Sequence, residues 1–375
     1  MAGGVAIIGA GGFVGARFVE MATRAGRADV IPVVRTHRSA GRSAHLGVPH
    51  RLADASRQDA LEEALAGCGV VVNLTTGYPG DILPITRNVY GAAVAVGARM
   101  LVHMSTAAVY GQVAQPDLPD DAPPQLDHWM PYARQKALAE SFLREQMRDG
   151  RIAIVVLRPG LVWGPGSRWV LGPAGELVRG SAYLVRGGAG ICNLTYVDNL
   201  VRSISAVVAH PSPTPGFFHL RDDERVTWRE YYAALAAGLG VDAATIHRVS
   251  GERYRTGRRD ALLALRSGPA YRWLKERLSP DMRTALKLRF ARAGELELTR
   301  PARPAVTREM WDAQSTPHSL PTDRFRAAYG NQNVTSFSSG LAASLAWLRF
   351  IGLDERDAPA MSATASIVAG AQSTG

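Results

Sequence analysis

A glycine-rich turn, Gly9-Ala10-Gly11-Gly12-Phe13-Val14-Gly15, lies directly between an apolar run, Val5 to Ile8, and a helix-like stretch, Ala16 to Arg24. Few backbones suit such a sequence. A buried strand that turns at once into a helix needs glycine wherever a side chain would block the close approach of turn and helix. The next apolar run, Val30 to Val34, completes a strand, helix, strand unit, and units of this kind close right-handed within one parallel sheet. At such a helix N-terminus, unpaired backbone N–H groups and the helix dipole favour a pyrophosphate. Gly9, Gly12, Phe13, Val14 and Gly15 are therefore candidate dinucleotide contacts. Glycines at this spacing also serve ordinary tight turns, and it is the position inside the βαβ unit that gives the pattern its weight.

The alternation continues. Apolar runs at Val70 to Leu74, Met100 to Met104 and Ile152 to Leu157 are separated by helix-like stretches at Asp59 to Ala66, Ile85 to Val96 and Tyr132 to Gln146. Continuously apolar strands alternating with helices describe an α/β fold, a Rossmann-type doubly wound parallel sheet. Residues 1–165 form the expected dinucleotide-binding domain, with elements around 190–222, among them Phe217-Phe218-His219-Leu220, returning to the sheet. Residues 166–189 and 223–353 are expected to form a smaller C-terminal substrate-binding lobe, in which Thr227 caps a helix over Trp228 to Leu239. Residues 354–375, rich in Ala, Ser, Thr and Gly, are expected to be disordered.

Composition narrows the compartment and the chemistry. Two cysteines, Cys68 and Cys192, supply no disulfide framework and no metal-ligand spacing, so no metal is expected. The first strand leaves no room for a signal peptide, and no apolar run is long enough to span a bilayer. A soluble, cytoplasmic protein is expected. The 43 Lys+Arg against 33 Asp+Glu give a net charge of +10, with much of the excess between Arg248 and Arg308. Solvated helix faces are the favoured reading of that stretch; attraction of an anionic substrate, or docking on an anionic membrane surface, is the alternative. No nucleic-acid module accompanies the charge, which argues against a nucleic-acid partner.

Tyr132-Ala133-Arg134-Gln135-Lys136 places a phenol and an ammonium one helical turn apart. A neighbouring cation favours the phenolate and draws a group that titrates near about 10 toward neutral pH. Tyr132 could then exchange a proton with a substrate hydroxyl. The run Met100 to Met104 leads into Ser105-Thr106-Ala107-Ala108-Val109-Tyr110-Gly111 at the carboxyl edge of the sheet, where such folds bind ligands. Further motifs follow in order: Asn73-Leu74-Thr75-Thr76, Asn88, Leu157-Arg158-Pro159-Gly160-Leu161-Val162-Trp163-Gly164-Pro165, and Tyr196-Val197-Asp198-Asn199. Together they resemble the extended short-chain dehydrogenase/reductase family, the NAD(P)-dependent epimerases and dehydratases acting mainly on nucleotide sugars.

The resemblance implies Tyr132 as the acid/base, Lys136 as the residue that lowers its pKa and holds the nicotinamide ribose, and Thr106 as the hydroxyl that bonds the reacting oxygen. It also implies cofactor contacts at Leu74, Thr75, Thr76, Ser105, Pro159, Gly160 and Val162, and at Asp54 for the adenine amino group. Asn88 reads as a polar clip between helix and strand, and Asp198 as a cap for the helix starting near Asn199.

Two departures from the family pattern bear on function. Where many members carry an acidic residue at the end of the second strand, this chain has Val34, followed by Arg35-Thr36-His37-Arg38. With a ribose acceptor missing and cations present, NADP(H) is expected in preference to NAD(H), with Arg35 and Arg38 as contacts. Thr106 is followed by Ala107-Ala108 instead of the Asp-Glu pair of sugar dehydratases, which leaves epimerisation or carbonyl/alcohol redox. The expected substrate is a nucleotide sugar, with Arg168 and Asn193 on the substrate side, and the expected assembly is a homodimer. Two other readings stay open: a reductase or dehydrogenase of a non-sugar carbonyl, sterol-like or flavonoid-like, and a non-catalytic NADP(H)-sensing or scaffold protein.

Overall fold

The computed structural model describes residues 3–251, 253, 254 and 304–353. Most of the basic stretch between Arg248 and Arg308, and the 354–375 tail, lie outside the described residues.

The central sheet has seven strands: β1 (Gly4–Ile8), β2 (Val30–Val34), β3 (Arg51–Leu52), β4 (Cys68–Asn73), β5 (Met100–Met104), β6 (Ala153–Pro159) and the strand Gly216–Leu220. Every neighbouring pair is parallel, and the spatial order is Gly216–Leu220, β6, β5, β4, β1, β2, β3. The strand order reverses between β1 and β4, and a ligand crevice forms outside the carboxyl ends of strands at such a point. Helices α1 (Phe13–Arg24), α2 (Gly41–Ala44), α3 (Gln58–Leu65), α4 (Ile82–Ala95) and α5 (Pro131–Asp149) occur between the strands.

The strands are mostly apolar because both faces are covered. Val5, Ile7, Val70, Val72, Val102 and Leu157 pack with Phe18 and Val19 of α1 and with Leu200 and Ile204 of the helix Val197–Ala209. The alternate residues Ala6, Ile8, Val71, Leu101 and Val156 face the other way, against Leu61 and Leu65 of α3, Val89 of α4 and Leu143 of α5. Successive side chains of a strand point to opposite faces, so a sheet with helices on both sides needs an unbroken apolar run. The expected Rossmann-type doubly wound sheet is the observed one. Strand β3 went unforeseen because Arg51 and Leu52 are too few to carry a period; they join through pairing with Val33 and Val34.

The chain divides into two compact units. The first comprises the described residues of Met1–Ser167, Asn193–Arg225 and Pro317–Gly340, and the second those of Arg168–Cys192, Val226–Thr316 and Leu341–Gly375. The segment Pro317–Gly340, which the sequence reading assigned to the C-terminal lobe, groups with the sheet. Its helix Asp323–Tyr329 packs Phe325 and Tyr329 edge-to-face against Phe218 of the last strand. In the second unit, the helix Trp228–Leu239 begins with a reciprocal capping box between Thr227 and Glu230. Its Tyr231 hydroxyl donates to the Trp169 carbonyl at 2.6 Å, and its Tyr232 hydroxyl donates to Glu176 at 2.8 Å.

The glycine turn owes its composition to close approaches of the backbone. Gly9 has φ +84°, a left-handed value that L side chains rarely adopt, and a Cβ there would lie 3.1 Å from the Leu74 carbonyl group. A Cβ at Gly15 would lie 2.3 Å from the Gly9 carbonyl oxygen. Alanine improves helix propensity by up to about 1 kcal/mol, but a contact this short against backbone outweighs it. A Gly15→Ala variant is expected to lose about 1–3 kcal/mol, the usual cost of overpacking, and denaturant unfolding measures the loss directly.

Candidate active site

The start of α1 leaves its backbone donors without a side-chain cap. Gly12 is its N-cap, with no side-chain cap and no acidic residue in the first turn. The N–H groups of Gly9 and Ala10 donate to the Val33 carbonyl at 3.2 and 3.4 Å, and Leu74 N–H donates to the Ile8 carbonyl at 3.0 Å. These bonds pin the turn among the ends of β1, β2 and β4. The donors of an uncapped helix N-terminus and a turn without side chains fit the pyrophosphate of a dinucleotide. Phe13 and Val14 are half-buried at this end of the helix. Arg17 holds α1 in place by donating to both carboxylate oxygens of Asp198 at 2.6 and 2.7 Å. Asp198 lies within the first turn of the helix Val197–Ala209, so its expected capping role is corrected to an ion pair. Nothing in the sequence around Arg17 signals this partner.

Beyond β2, Arg35 and Arg38 are exposed. Asp54 Oδ1 accepts the Ser56 N–H at 3.0 Å, and that bond, aided by the charge of Arg35, lowers the Asp54 carboxyl pKa. Asn88 of α4 donates to the Ala55 carbonyl at 3.1 Å, so it clips the helix to the turn after β3 and not to a strand.

Lys136 lies at the centre of the other candidates. It is 1% exposed, and its Nζ donates to the Met104 carbonyl at 2.6 Å and the Thr75 carbonyl at 3.3 Å, bridging the carboxyl ends of β5 and β4. Burial pulls its pKa down to about 8, against the opposing pull of Glu140. Asn73 Oδ1 accepts from the Thr75 N–H at 3.1 Å and the Thr75 hydroxyl at 2.6 Å, and its Nδ2 donates to His103 Nδ1 at 3.2 Å. Leu74 is half-buried and Thr76 exposed beside this turn. Tyr132 is half-buried in the first turn of α5, one turn ahead of Lys136. Thr106 caps the short helical turn Ala107–Tyr110, its Oγ1 accepting the Ala108 N–H at 3.2 Å.

The remaining candidates have these surroundings. The buried Ser105 hydroxyl donates to Glu140. Asn193 is buried, donating to the His318 carbonyl at 3.1 Å and accepting the Leu320 N–H at 2.9 Å, so its polar atoms clip one loop to another. Gly160 allows that packing, since a Cβ there would lie 2.0 Å from the Asn193 carbonyl oxygen; its N–H donates to Thr195 Oγ1 at 3.2 Å. Pro159 is buried and Val162 half-buried on either side of Gly160. In the second unit, Arg168 pairs with Glu309 and lies over the Trp169 ring. Among the described residues there is no group of three metal-ligating side chains, and no helix is long and apolar enough to cross a membrane.

Residues 5–218 match the NAD dependent epimerase/dehydratase family. The 2-alkyl-3-oxoalkanoate reductase of Stenotrophomonas maltophilia (strain K279a) is 32% identical over 211 residues, which is 52% of this chain and 62% of the reductase. The N-acetyl-alpha-D-glucosaminyl-diphospho-ditrans,octacis-undecaprenol 4-epimerase of Escherichia coli O157:H7 is 28% identical over 256 residues, 65% of this chain and 74% of that protein. The fold is shared with UDP-glucuronic acid 4-epimerase from Bacillus cereus, solved with UDP-glucuronic acid and NAD, at a TM-score of 0.65 and 15% identity over 92% of this chain and 99% of the other. The family match takes in more than half of the chain, including the glycine turn, Tyr132 and Lys136, and the chain belongs to the NAD dependent epimerase/dehydratase family of enzymes.

Proposed function

We propose that the chain interconverts a secondary alcohol and a ketone, with Tyr132 as acid and base and a nicotinamide as hydride carrier. The observation that carries this reading is the Lys136 ammonium, fixed at the ends of β4 and β5 one turn from Tyr132 and bonded two residues before Thr106. Lys136 favours the Tyr132 phenolate, which takes the proton of the alcohol, while the Thr106 hydroxyl donates to the reacting oxygen. The nicotinamide, when bound, accepts or returns the hydride. Gly9, Gly12 and Gly15, with the N–H groups of Phe13 and Val14, hold the pyrophosphate; Leu74, Thr75, Thr76, Pro159 and Val162 border the rest of the cofactor. Val34 in place of a carboxylate, with Arg35 and Arg38 exposed beyond it, supports NADP(H) over NAD(H).

A nucleotide sugar is the first substrate reading, by epimerisation or net redox, since Ala107 and Ala108 provide no acid/base pair for dehydration. A second reading, reduction of a non-sugar ketone, is favoured by the engagement of Arg168 with Glu309 and of Asn193 with its neighbouring loop. Incubation with UDP-hexoses, and separately with 3-oxoacids and NADPH, separates the two by epimer formation or NADPH consumption. Neither product with any member of either class overturns both.

Tyr132→Phe is expected to lower kcat by at least about 100-fold, the lower end of general acid/base contributions, with cofactor affinity nearly unchanged in fluorescence titration. Near wild-type turnover would remove the acid/base assignment. In the same titration Arg35→Ala should narrow the preference for NADPH over NADH by about 1.5–3 kcal/mol, the range for a hydrogen bond to a charged group. Lys136 also predicts a stability profile. Its folded pKa of about 8 lies below its ordinary 10.5, so between these values the unfolded chain binds more protons and stability rises with pH. Cofactor-free protein should become more stable as pH climbs from about 8 toward 10, and Lys136→Met should lose that rise in denaturant unfolding.

A further inference from the structure

A fully buried ion pair stands behind the proposed catalytic set. Glu140, one turn beyond Lys136 on α5, and Arg158 of β6 are both 0% exposed. Arg158 Nε donates to the two Glu140 oxygens at 3.0 and 3.1 Å, and its Nη2 donates to Oε2. Its Nη1 is taken by the Tyr110 hydroxyl and by the carbonyls of Asp120 at 2.7 Å and Ala122 at 3.3 Å. Glu140 Oε1 also accepts the Ser105 hydroxyl. Ser105 sits between Met104, whose carbonyl holds Lys136, and Thr106. Buried ion pairs contribute little net stability, because desolvation offsets their attraction. The placement of this one has a more specific consequence.

Lys136 faces His103 from β5, the carbonyls of Met104 and Thr75, and Tyr132 and Glu140 on its own helix. Burial and the Lys136 charge hold the His103 pKa well down, so that ring stays neutral. Among these groups Glu140 is the acid whose charge supports the ammonium, against a burial effect that opposes it.

We propose that Glu140, paired with Arg158 and tied to the end of β5 through Ser105, is a positioning residue that supports the Lys136 ammonium and sets the Met104 carbonyl and Thr106 hydroxyl in place. The proposal rests on the reading of Tyr132 and Lys136 given above. Two readouts test it in the full-length protein: the Lys136 titration midpoint, followed by NMR of labelled lysine without cofactor, and the pH dependence of NADPH affinity. Glu140→Gln is expected to move the Lys136 midpoint down by about one unit or more, and the loss of NADPH affinity at high pH to begin lower by the same amount. Glu140→Asp, which retains the charge, should restore most of both. Where Glu140→Gln fails to fold, Ser105→Ala decides, with a smaller shift in the same direction. An unchanged midpoint and NADPH profile in the folded variant, with only a lowered Tm, would show a purely structural pair and overturn the proposal. Full turnover by Tyr132→Phe would remove the catalytic reading and leave the Lys136 titration standing, so the two failures are distinguishable.

Discussion

A lysine ammonium without solvent is the constraint around which the candidate site is organised. Lys136 is tolerated in the interior because two backbone carbonyls, from Met104 and Thr75, replace the water it has lost. Those carbonyls belong to the ends of two different strands, so the arrangement exists only while β4 and β5 keep their register, with Asn73 opposite His103. Asn73 then shapes the Thr75 turn through its side chain. Removing any of these groups leaves a buried charge or dipole short of a partner, which is why the polar residues here form one connected set.

The glycine turn follows a different logic. There side chains are excluded because the chain packs closely on itself: Gly15 against the Gly9 carbonyl, Gly9 against Leu74, Gly11 against Ser39. The helix that offers its N-terminus must not swing, and the bidentate bond between Arg17 and Asp198 ties it to the helix Val197–Ala209. The chain belongs to the NAD dependent epimerase/dehydratase family, and under the proposed function the main-chain donors of its N-terminal turn and the Lys136 side chain are the groups offered to the cofactor.

Residues close together in sequence have unlike duties. Ser105 and Thr106 are adjacent hydroxyls at a strand end, yet strand alternation directs Ser105 into the interior toward Glu140 and leaves Thr106 half-buried as a cap. Asn193, expected on the substrate side, has both ends of its amide engaged by the 318–320 segment. Arg158 was visible as a charge inside an otherwise apolar run, which by itself demands a buried partner. Its identity, Glu140, was not visible.

The sequence by itself determined the sheet except for β3, its longer flanking helices and the glycine turn, because these depend on local period and on the absence of side chains, both of which are written residue by residue. It also determined that Tyr132 and Lys136 share a helix face, since four residues make about one turn. Only the tertiary structure decided which carbonyls receive Lys136, that Asp198 binds Arg17 instead of capping its own helix, and that the 317–340 segment packs with the sheet. Each of these joins groups far apart in the chain, where the choice among possible partners turns on which polar atoms are brought together without water, and no local pattern encodes that.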